Sequence, residues 1–328
     1  MSRTPELFLA AVLPILSLSG FAQPAAPVPP RSLVVNVLDR NGNAVRDLTN
    51  NNFRVKVNGH PAAILAAPYS LAPRRIIVLL DMSGSMGGEK DGKKWQIARE
   101  AVEDLLAQSP ADVSIGLLTF SDQVHDVFAF SQGRSTISRW LREGASQRPN
   151  VRGHTALRDA IQASLRMLEP FHPGDAVYAI TDGGDNASHV SVDKTTTALR
   201  ESGVRLFAFL FAERIPMEEE LGGDSLVQMA SDSGGFVFGI SGRRVMGGAY
   251  LLPTWDAEYD YDARTREKIK LYTQALNIQV NGFYTVAVAA HVQRGKAEKI
   301  SLEIVDTAGK SRKDVGYTYQ KVLSPQEK

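Results

Sequence analysis

Two kinds of hydrophobic pattern alternate along the chain from residue 74 to about residue 240. Short runs that are apolar throughout, such as "RIIVLLD" and "DAVYAITD", alternate with longer stretches of helical periodicity, such as "KKWQIAREAVEDLLAQ". Runs that are apolar at every position are typical of strands buried on both faces, and amphipathic helices supply the cover. The pattern therefore predicts an α/β fold with a doubly wound, mostly parallel sheet of six strands.

One strand of this sheet is predicted to run the other way. The segment "FSDQVHDVFAF" follows "DVSIGLLTF" after only a short turn. A parallel crossover needs a dozen or more residues, so this segment is expected to form an antiparallel edge strand.

The two ends of the chain carry a different pattern. Segments such as "SLVVNVLD", "NFRVKVNG" and "KISLEIVD" alternate apolar and polar residues and predict strands, which we expect to form one small β unit. "DRNGN" resembles part of a calcium loop but lacks the closing glutamate, so we interpret it as a turn. The predicted division is an N-terminal β segment (31–72), an α/β domain (73–280) and a C-terminal β segment (281–328).

The last helix of the α/β domain is predicted from about residue 264 to residue 280. Ile269, Tyr272, Leu276 and Val280 share one face of it, and Asn281-Gly282 is its stop signal.

The first thirty residues predict export. Residues 1–22 have a basic Arg3, a short apolar stretch and small residues before a predicted cleavage point, and residues 23–30 are a Pro-rich spacer. Cleavage would release the protein to the periplasm or the extracellular space. The alternative is a retained membrane anchor, although no later apolar stretch is long enough for a stable span.

Composition excludes several classes of function. The chain has no cysteine, which excludes disulfides, thiolate catalysis and Cys-ligated zinc. The formal net charge of +1 gives no general attraction to nucleic acid. The oligomeric state stays open.

Oxygen-bearing side chains are concentrated where strands of the α/β domain end. "DMSGSM" follows the first of these strands, "GHTAL" begins a predicted helix, and "ITDGGDN" ends another strand. Ligands of open parallel sheets bind beyond the carboxyl ends of the strands, so these pieces are expected to meet. The candidate metal ligands are Asp81, Ser83, Ser85, Thr155 and Asp182.

A ligand set made only of oxygen predicts a hard divalent cation, with Mg²⁺ first and Mn²⁺ or Ca²⁺ as alternatives. The two carboxylates would about neutralise the ion at best. If they act partly through water, the ion stays electrophilic and has an open position, which a carboxylate from another molecule could complete. Three neighbours have two interpretations each. His154 is interpreted as a rim residue, with metal ligation as the alternative, and Asp185 and Asn186 as turn residues, with support of the ligands as the alternative.

These three pieces, in this order, resemble the metal-ion-dependent adhesion site of von Willebrand factor type A domains, over roughly residues 74 to 280. The resemblance implies that Ser83, Ser85 and Thr155 are direct or switchable ligands and that Asp81 and Asp182 act largely through water. With its flanking β segments, the chain also resembles exported bacterial von Willebrand factor A-related proteins.

In related domains the C-terminal helix can shift when the site changes ligands. Two alternatives therefore stay open for the helix ending at Val280: a sliding element or a fixed wedge.

The sequence shows no enzymatic machinery. Asp81 could be imagined as a nucleophile for phosphoryl transfer, but such sites usually have a second acid where Ser83 stands. There is no P-loop, no G-x-S-x-G elbow and no H-E-x-x-H pattern. We expect no enzyme, but an exported module that binds a protein partner offering an acidic residue. The alternative is a structural or assembly protein of the cell envelope, with a scaffold domain and incidental metal.

Overall fold

The computed structural model describes residues 31–70, 74–87, 93–143, 154–211, 217–240, 263–289 and 298–323. The strands are β1 (Arg31–Asp39), β2 (Phe53–Val57), β3 (His60–Ala66), β4 (Tyr69–Ser70), β5 (Arg75–Asp81), β6 (Ser114–Phe120), β7 (Val124–Phe128), β8 (Ala176–Thr181), β9 (Arg205–Phe211), β10 (Val237–Ile240), β11 (Phe283–Ala289), β12 (Glu298–Ile304), β13 (Val315–Tyr319) and β14 (Val322–Leu323). The helices are α1 (Gly84–Gly87), α2 (Lys93–Gln108), α3 (Gly133–Glu143), α4 (Leu157–Leu168), α5 (Val192–Ser202), α6 (Met217–Ser233) and α7 (Ala263–Asn281). The predicted signal and spacer, residues 1–30, lie outside the described residues.

The central sheet has six strands in the order β10-β9-β8-β5-β6-β7. The neighbouring strands from β10 to β6 pair in parallel, and β7 pairs with β6 in the antiparallel sense. The antiparallel edge strand is therefore where the short turn before it predicts it.

Burial on both faces explains why the strands are apolar throughout. Alternate residues of β5 point to opposite faces. Ile76, Val78 and Leu80 join the core beneath α2, α3 and α7, whereas Ile77 and Leu79 join the core beneath α4, α5 and α6. Both faces of the strand are therefore covered by helices.

The second sheet is larger than the small β unit that the sequence predicts. It has eight strands, with the order β13-β1-β11-β3-β2-β12-β14 and β4 paired to β11. All its pairings are antiparallel, and strands from one end of the chain pair with strands from the other, as β1 does with β11 and β2 with β12. The two ends of the chain therefore form one sheet, as predicted, whereas β4 and β14, of two residues each, lack a clear alternating pattern.

Two turns of this sheet have the same local geometry. Oδ1 of Asp39 accepts backbone hydrogen bonds from Asn41 and Asn43 at 2.8 Å, as an Asx turn does. Oδ1 of Asp306 accepts in the same way from Ala308 and Lys310. The sequence "DRNGN" is therefore a turn, as predicted.

The junction between the two sheets is buried and polar. Nη1 of Arg205 donates to Oδ1 of Asn36 and to the carbonyl of Gln279, both at 2.8 Å. Nε of Arg74 donates to the carbonyl of Val280 at 3.0 Å, and its guanidinium lies over the ring of Phe283 at 4.5 Å. The arginines therefore bind the last carbonyls of α7, which a helix end otherwise leaves unpaired.

The face predicted for the last helix is confirmed: Ile269, Tyr272, Leu276 and Val280 are all buried in the core of the α/β domain. Among the helices that lie within the described ranges, none is long and apolar enough to cross a membrane.

Candidate metal centre

The centre lies at the carboxyl ends of two adjacent strands. Asp81 is the last residue of β5, and Asp182 directly follows β8. The two strands pair in parallel through Leu80 and Ile180, so their ends meet at the same edge. Both carboxylates are buried, with Asp81 at 0% exposure and Asp182 at 4%.

The two oxygens of Asp81 are each held by a donor. Oδ1 accepts the backbone N–H of Ser83 at 2.8 Å, and Oδ2 accepts the hydroxyl of Thr181 at 2.5 Å. The backbone N–H of Gly183 in turn donates to Oγ1 of Thr181 at 3.0 Å. Thr181 therefore orients Asp81, a role that the sequence did not reveal because Thr181 reads simply as the last residue of a buried strand.

The hydroxyls of Ser83 and Ser85 lie side by side, with their Oγ atoms 3.1 Å apart. Two neighbouring ligands of an octahedral Mg²⁺ lie about 3 Å apart, because each Mg–O bond is about 2.1 Å long. Ser83 is buried and Ser85 is exposed, so the pair lies at the opening of the site.

Thr155 is held in place by Asn186. The N–H of Thr155 donates to Oδ1 of Asn186 at 2.8 Å, and the backbone N–H groups of Asn186 and Ala187 donate to the carbonyl of Thr155 at 3.0 Å. Of the two alternatives for Asn186, this contact favours support of the ligands, since its side chain positions a candidate ligand. The signal for this, an Asn four residues after Asp182, is too common in turns to be specific.

Asp185 also has a partner beyond its own turn. Its carboxylate accepts the backbone N–H of Arg158 at 2.9 Å and forms an ion pair with the guanidinium at 3.2 Å. Asp185 therefore does more than form a turn, because it ties the loop after β8 to the start of α4. His154 is exposed, in agreement with a rim position.

There is free space beside the side-chain oxygens of Asp182 and Thr155, at Gly184. A Cβ added to Gly184 would lie 3.8 Å from Oδ1 of Asp182 and 3.9 Å from Oγ1 of Thr155. These two candidate ligands therefore face the same small volume, which the missing side chain of Gly184 leaves free.

The electrostatics of the centre favour a cation. Burial, and then the negative charge of Asp182, raise the pKa of Asp81 to about 7. Two buried carboxylates at one sheet edge repel each other, and a divalent ion would remove that repulsion. The donor set therefore fits a hard divalent cation, which Asp81, Ser83, Ser85, Thr155 and Asp182 would hold.

The fit depends on hydroxyls as much as on acids. Within the described part of the chain there is no group of three or more His, Cys, Asp or Glu side chains that could hold a metal ion. The two acids need the three hydroxyls and water to fill a coordination shell.

One family model matches part of the α/β region. The family model for the von Willebrand factor type A domain matches residues 76–184, which contain the five candidate ligands. No curated protein matches the chain.

Three solved structures are similar to the chain at low sequence identity. A von Willebrand factor type A protein from Catenulispora acidiphila has 13% identity and a TM-score of 0.43, covering 93% of this chain and 76% of its own. An aerotolerance-related membrane protein from Bacteroides fragilis has 14% identity and a TM-score of 0.43, covering 63% of this chain and 98% of its own. Proximal thread matrix protein 1 from the mussel byssus, with a zinc-occupied MIDAS motif, has 18% identity and a TM-score of 0.44, covering 69% of this chain and 50% of its own. Likeness at this level carries no argument about function. What the comparisons show is a match of residues 76–184, within the α/β region, to the model of the von Willebrand factor type A domain.

Proposed function

We propose that this chain is an exported binding module that captures a carboxylate of a protein partner through a divalent cation. The cation would be held by Asp81, Ser83, Ser85, Thr155 and Asp182, with Mg²⁺ as the first choice and Mn²⁺ or Ca²⁺ as alternatives. The observation that carries the proposal is the pairing of two buried carboxylates with adjacent hydroxyls 3.1 Å apart at one sheet edge.

The exposure of the ligands supports capture of a ligand from outside. Asp81 and Asp182 are buried beneath the site, whereas Ser85 is exposed at its opening. An ion held there would meet protein oxygens from below and water from above. Since Mg²⁺ keeps several waters, a carboxylate could replace one of them without disturbing the protein ligands.

The position of Asp81 opposes a phosphotransfer role. Its two oxygens accept hydrogen bonds from Ser83 and Thr181, and Ser83 stands where such sites usually have a second acid. We therefore expect no turnover of a generic phosphate ester with Mg²⁺ present. Turnover that disappears in Asp81→Asn would favour an enzyme instead.

A capture experiment tests the proposal. The purified chain is immobilised and exposed to native envelope extract, once with Mg²⁺ and once with chelator, and bound protein is then challenged with free acetate. We expect a partner that is retained with Mg²⁺, released by chelator and displaced by acetate. Asp182→Asn should lose capture, whereas Asp122→Asn, at an exposed loop of the same domain, should keep it.

A scaffold function is the second candidate, and the buried junction between the two sheets favours it. Arg205 joins Asn36 of one sheet to the end of α7 beside the other, as a rigid structural component would require. Metal binding without metal-dependent capture, or capture that is equal in chelator, would support the scaffold and overturn the proposed binding function.

A further inference from the structure

A lysine is buried beside the candidate metal centre. Lys94 is the second residue of α2 and is 2% exposed. Its Nζ lies 3.4 Å from Oδ2 of Asp182 and donates to the carbonyl of Ser85 at 3.1 Å. The sequence gives no sign of this contact, because Lys94 belongs to an ordinary helical pattern.

The position of Lys94 is unfavourable without a compensating charge. A cation in the first turn of a helix opposes the helix dipole, and burial removes the ammonium from water. Asp182, at 3% side-chain exposure, supplies the opposite charge. The charge of Lys94 is therefore part of the electrostatics of the site and not a surface feature.

The lysine and a metal ion can use different oxygens of Asp182. Lys94 lies at Oδ2, whereas Oδ1 faces the space beside Gly184, near Oγ1 of Thr155. Lys94 likewise binds the backbone carbonyl of Ser85, while the hydroxyl of Ser85 lies against that of Ser83. An ion among the five candidate ligands would therefore have the ammonium as a near neighbour.

The charge count then changes sign when the ion arrives. Among the described residues, and with both acids ionised, Asp81 and Asp182 carry two negative charges and Lys94 one positive charge, while Asp185 is neutralised by Arg158. A divalent cation would bring this group to a net charge of plus one. Without the lysine, the same loaded site would be neutral.

We propose that Lys94 is a built-in counter-cation that keeps the metal-loaded site positive, so that the ion alone binds weakly and an anionic ligand completes the site. The inference rests on the proposed function and extends it, because it names the residue that favours an anionic partner. Like-charge repulsion weakens ion binding, and the remaining positive charge attracts a carboxylate.

The test compares Lys94→Met with Lys93→Met, a matched change one residue earlier on the same helix. Affinity for Mn²⁺ alone is measured by calorimetry, and acetate binding to the Mn²⁺-loaded protein by the relaxation of bound water. We expect Lys94→Met to bind Mn²⁺ roughly tenfold more tightly and acetate several-fold more weakly than the wild type. Lys93→Met and the charge-conserving Lys94→Arg should stay near wild-type values.

Thermal unfolding in chelator provides a readout that does not depend on metal binding. Lys94→Met leaves the two carboxylates without their counter-cation, so its midpoint should fall by about 3 °C or more relative to Lys93→Met. Added Mn²⁺ should then raise the midpoint of Lys94→Met more than that of the wild type.

The outcomes separate this inference from the proposed function. Equal or weaker Mn²⁺ binding by folded Lys94→Met would overturn the counter-cation role and leave Lys94 as a structural ion pair. If none of the proteins binds Mn²⁺, the proposed function fails and the counter-cation role fails with it. The chelator midpoints then show only whether Lys94 forms a stabilising ion pair with Asp182.

Discussion

At the scale of single residues, the site is defined by which oxygens are already engaged. Asp81 is held by Ser83 and Thr181, and Thr155 by Asn186, so their directions are fixed before any ion arrives. The ligand types are visible in the sequence because "DMSGSM", "GHTAL" and "ITDGGDN" are specific. The two residues that contact the carboxylates, Thr181 and Lys94, are not visible in the sequence. A threonine at a strand end and a lysine in a helix are ordinary residues until the fold brings them to a carboxylate.

Metal affinity should depend on pH through Asp81. Its pKa is raised to about 7, first by burial and then by Asp182. Below that pH the metal-free folded protein holds a proton on Asp81, and an incoming ion must displace it. Mn²⁺ affinity should therefore fall as pH drops from about 7 to about 5 and level off above about 8.

Calorimetry in two buffers of different ionisation enthalpy checks this at about pH 6, where Mn²⁺ binding should release close to one proton. The metal-free protein should also lose stability as pH rises from about 4 to about 7, because the folded state binds the proton more tightly than the unfolded chain. Affinity that does not change across this range would contradict the raised pKa.

At the scale of elements, the end of α7 is the most constrained part of the fold. Arg74 and Arg205 together bind the carbonyls of Gln279, Val280 and Asn281. Burial, and then the positive charge of Arg74, lower the pKa of Arg205 to about 9, which leaves it charged at neutral pH. The helix, its buried face and its stop at Asn281-Gly282 follow from periodicity. The arginine contacts do not, because they join segments far apart in the chain.

Replacing Arg205 with Met should destabilise the protein by about 2–4 kcal/mol, because Oδ1 of Asn36 and buried carbonyls lose their donor. Urea unfolding followed by circular dichroism measures the loss. Arg54→Met, at an exposed position of β2, should change stability by less than about 0.5 kcal/mol. Equal effects of the two changes would show that the junction adds no stability.

The arginine contacts favour a fixed α7 over a sliding one. Leu276 is fully buried, so Leu276→Ala should cost about 2–5 kcal/mol of stability. With the helix end held, the folded variant should keep wild-type Mn²⁺ affinity, as should Leu141→Ala, an equally buried change on α3. A change in affinity with Leu276→Ala alone would support the sliding helix instead.

At the scale of the whole molecule, the sequence predicts the α/β domain better than its companion. The α/β alternation can be predicted locally, because the hydrophobic residues within each strand and each helix repeat with the period of that element. The order of the second sheet depends on pairing β1 with β11 and β13, across more than two hundred residues. Nothing local encodes such a register, so the sequence predicts that the two chain ends form one β unit but not the order of its strands.

The most direct test is Mn²⁺ binding by the wild type, Asp81→Ala and the control Asp122→Ala, followed by calorimetry, with circular dichroism confirming the fold of each. One ion should bind to the wild type and to Asp122→Ala, because both keep the two buried carboxylates that offset its dehydration. Binding should be lost in Asp81→Ala. Unchanged binding in Asp81→Ala, or no binding by the wild type, would contradict the metal centre on which the proposed function depends.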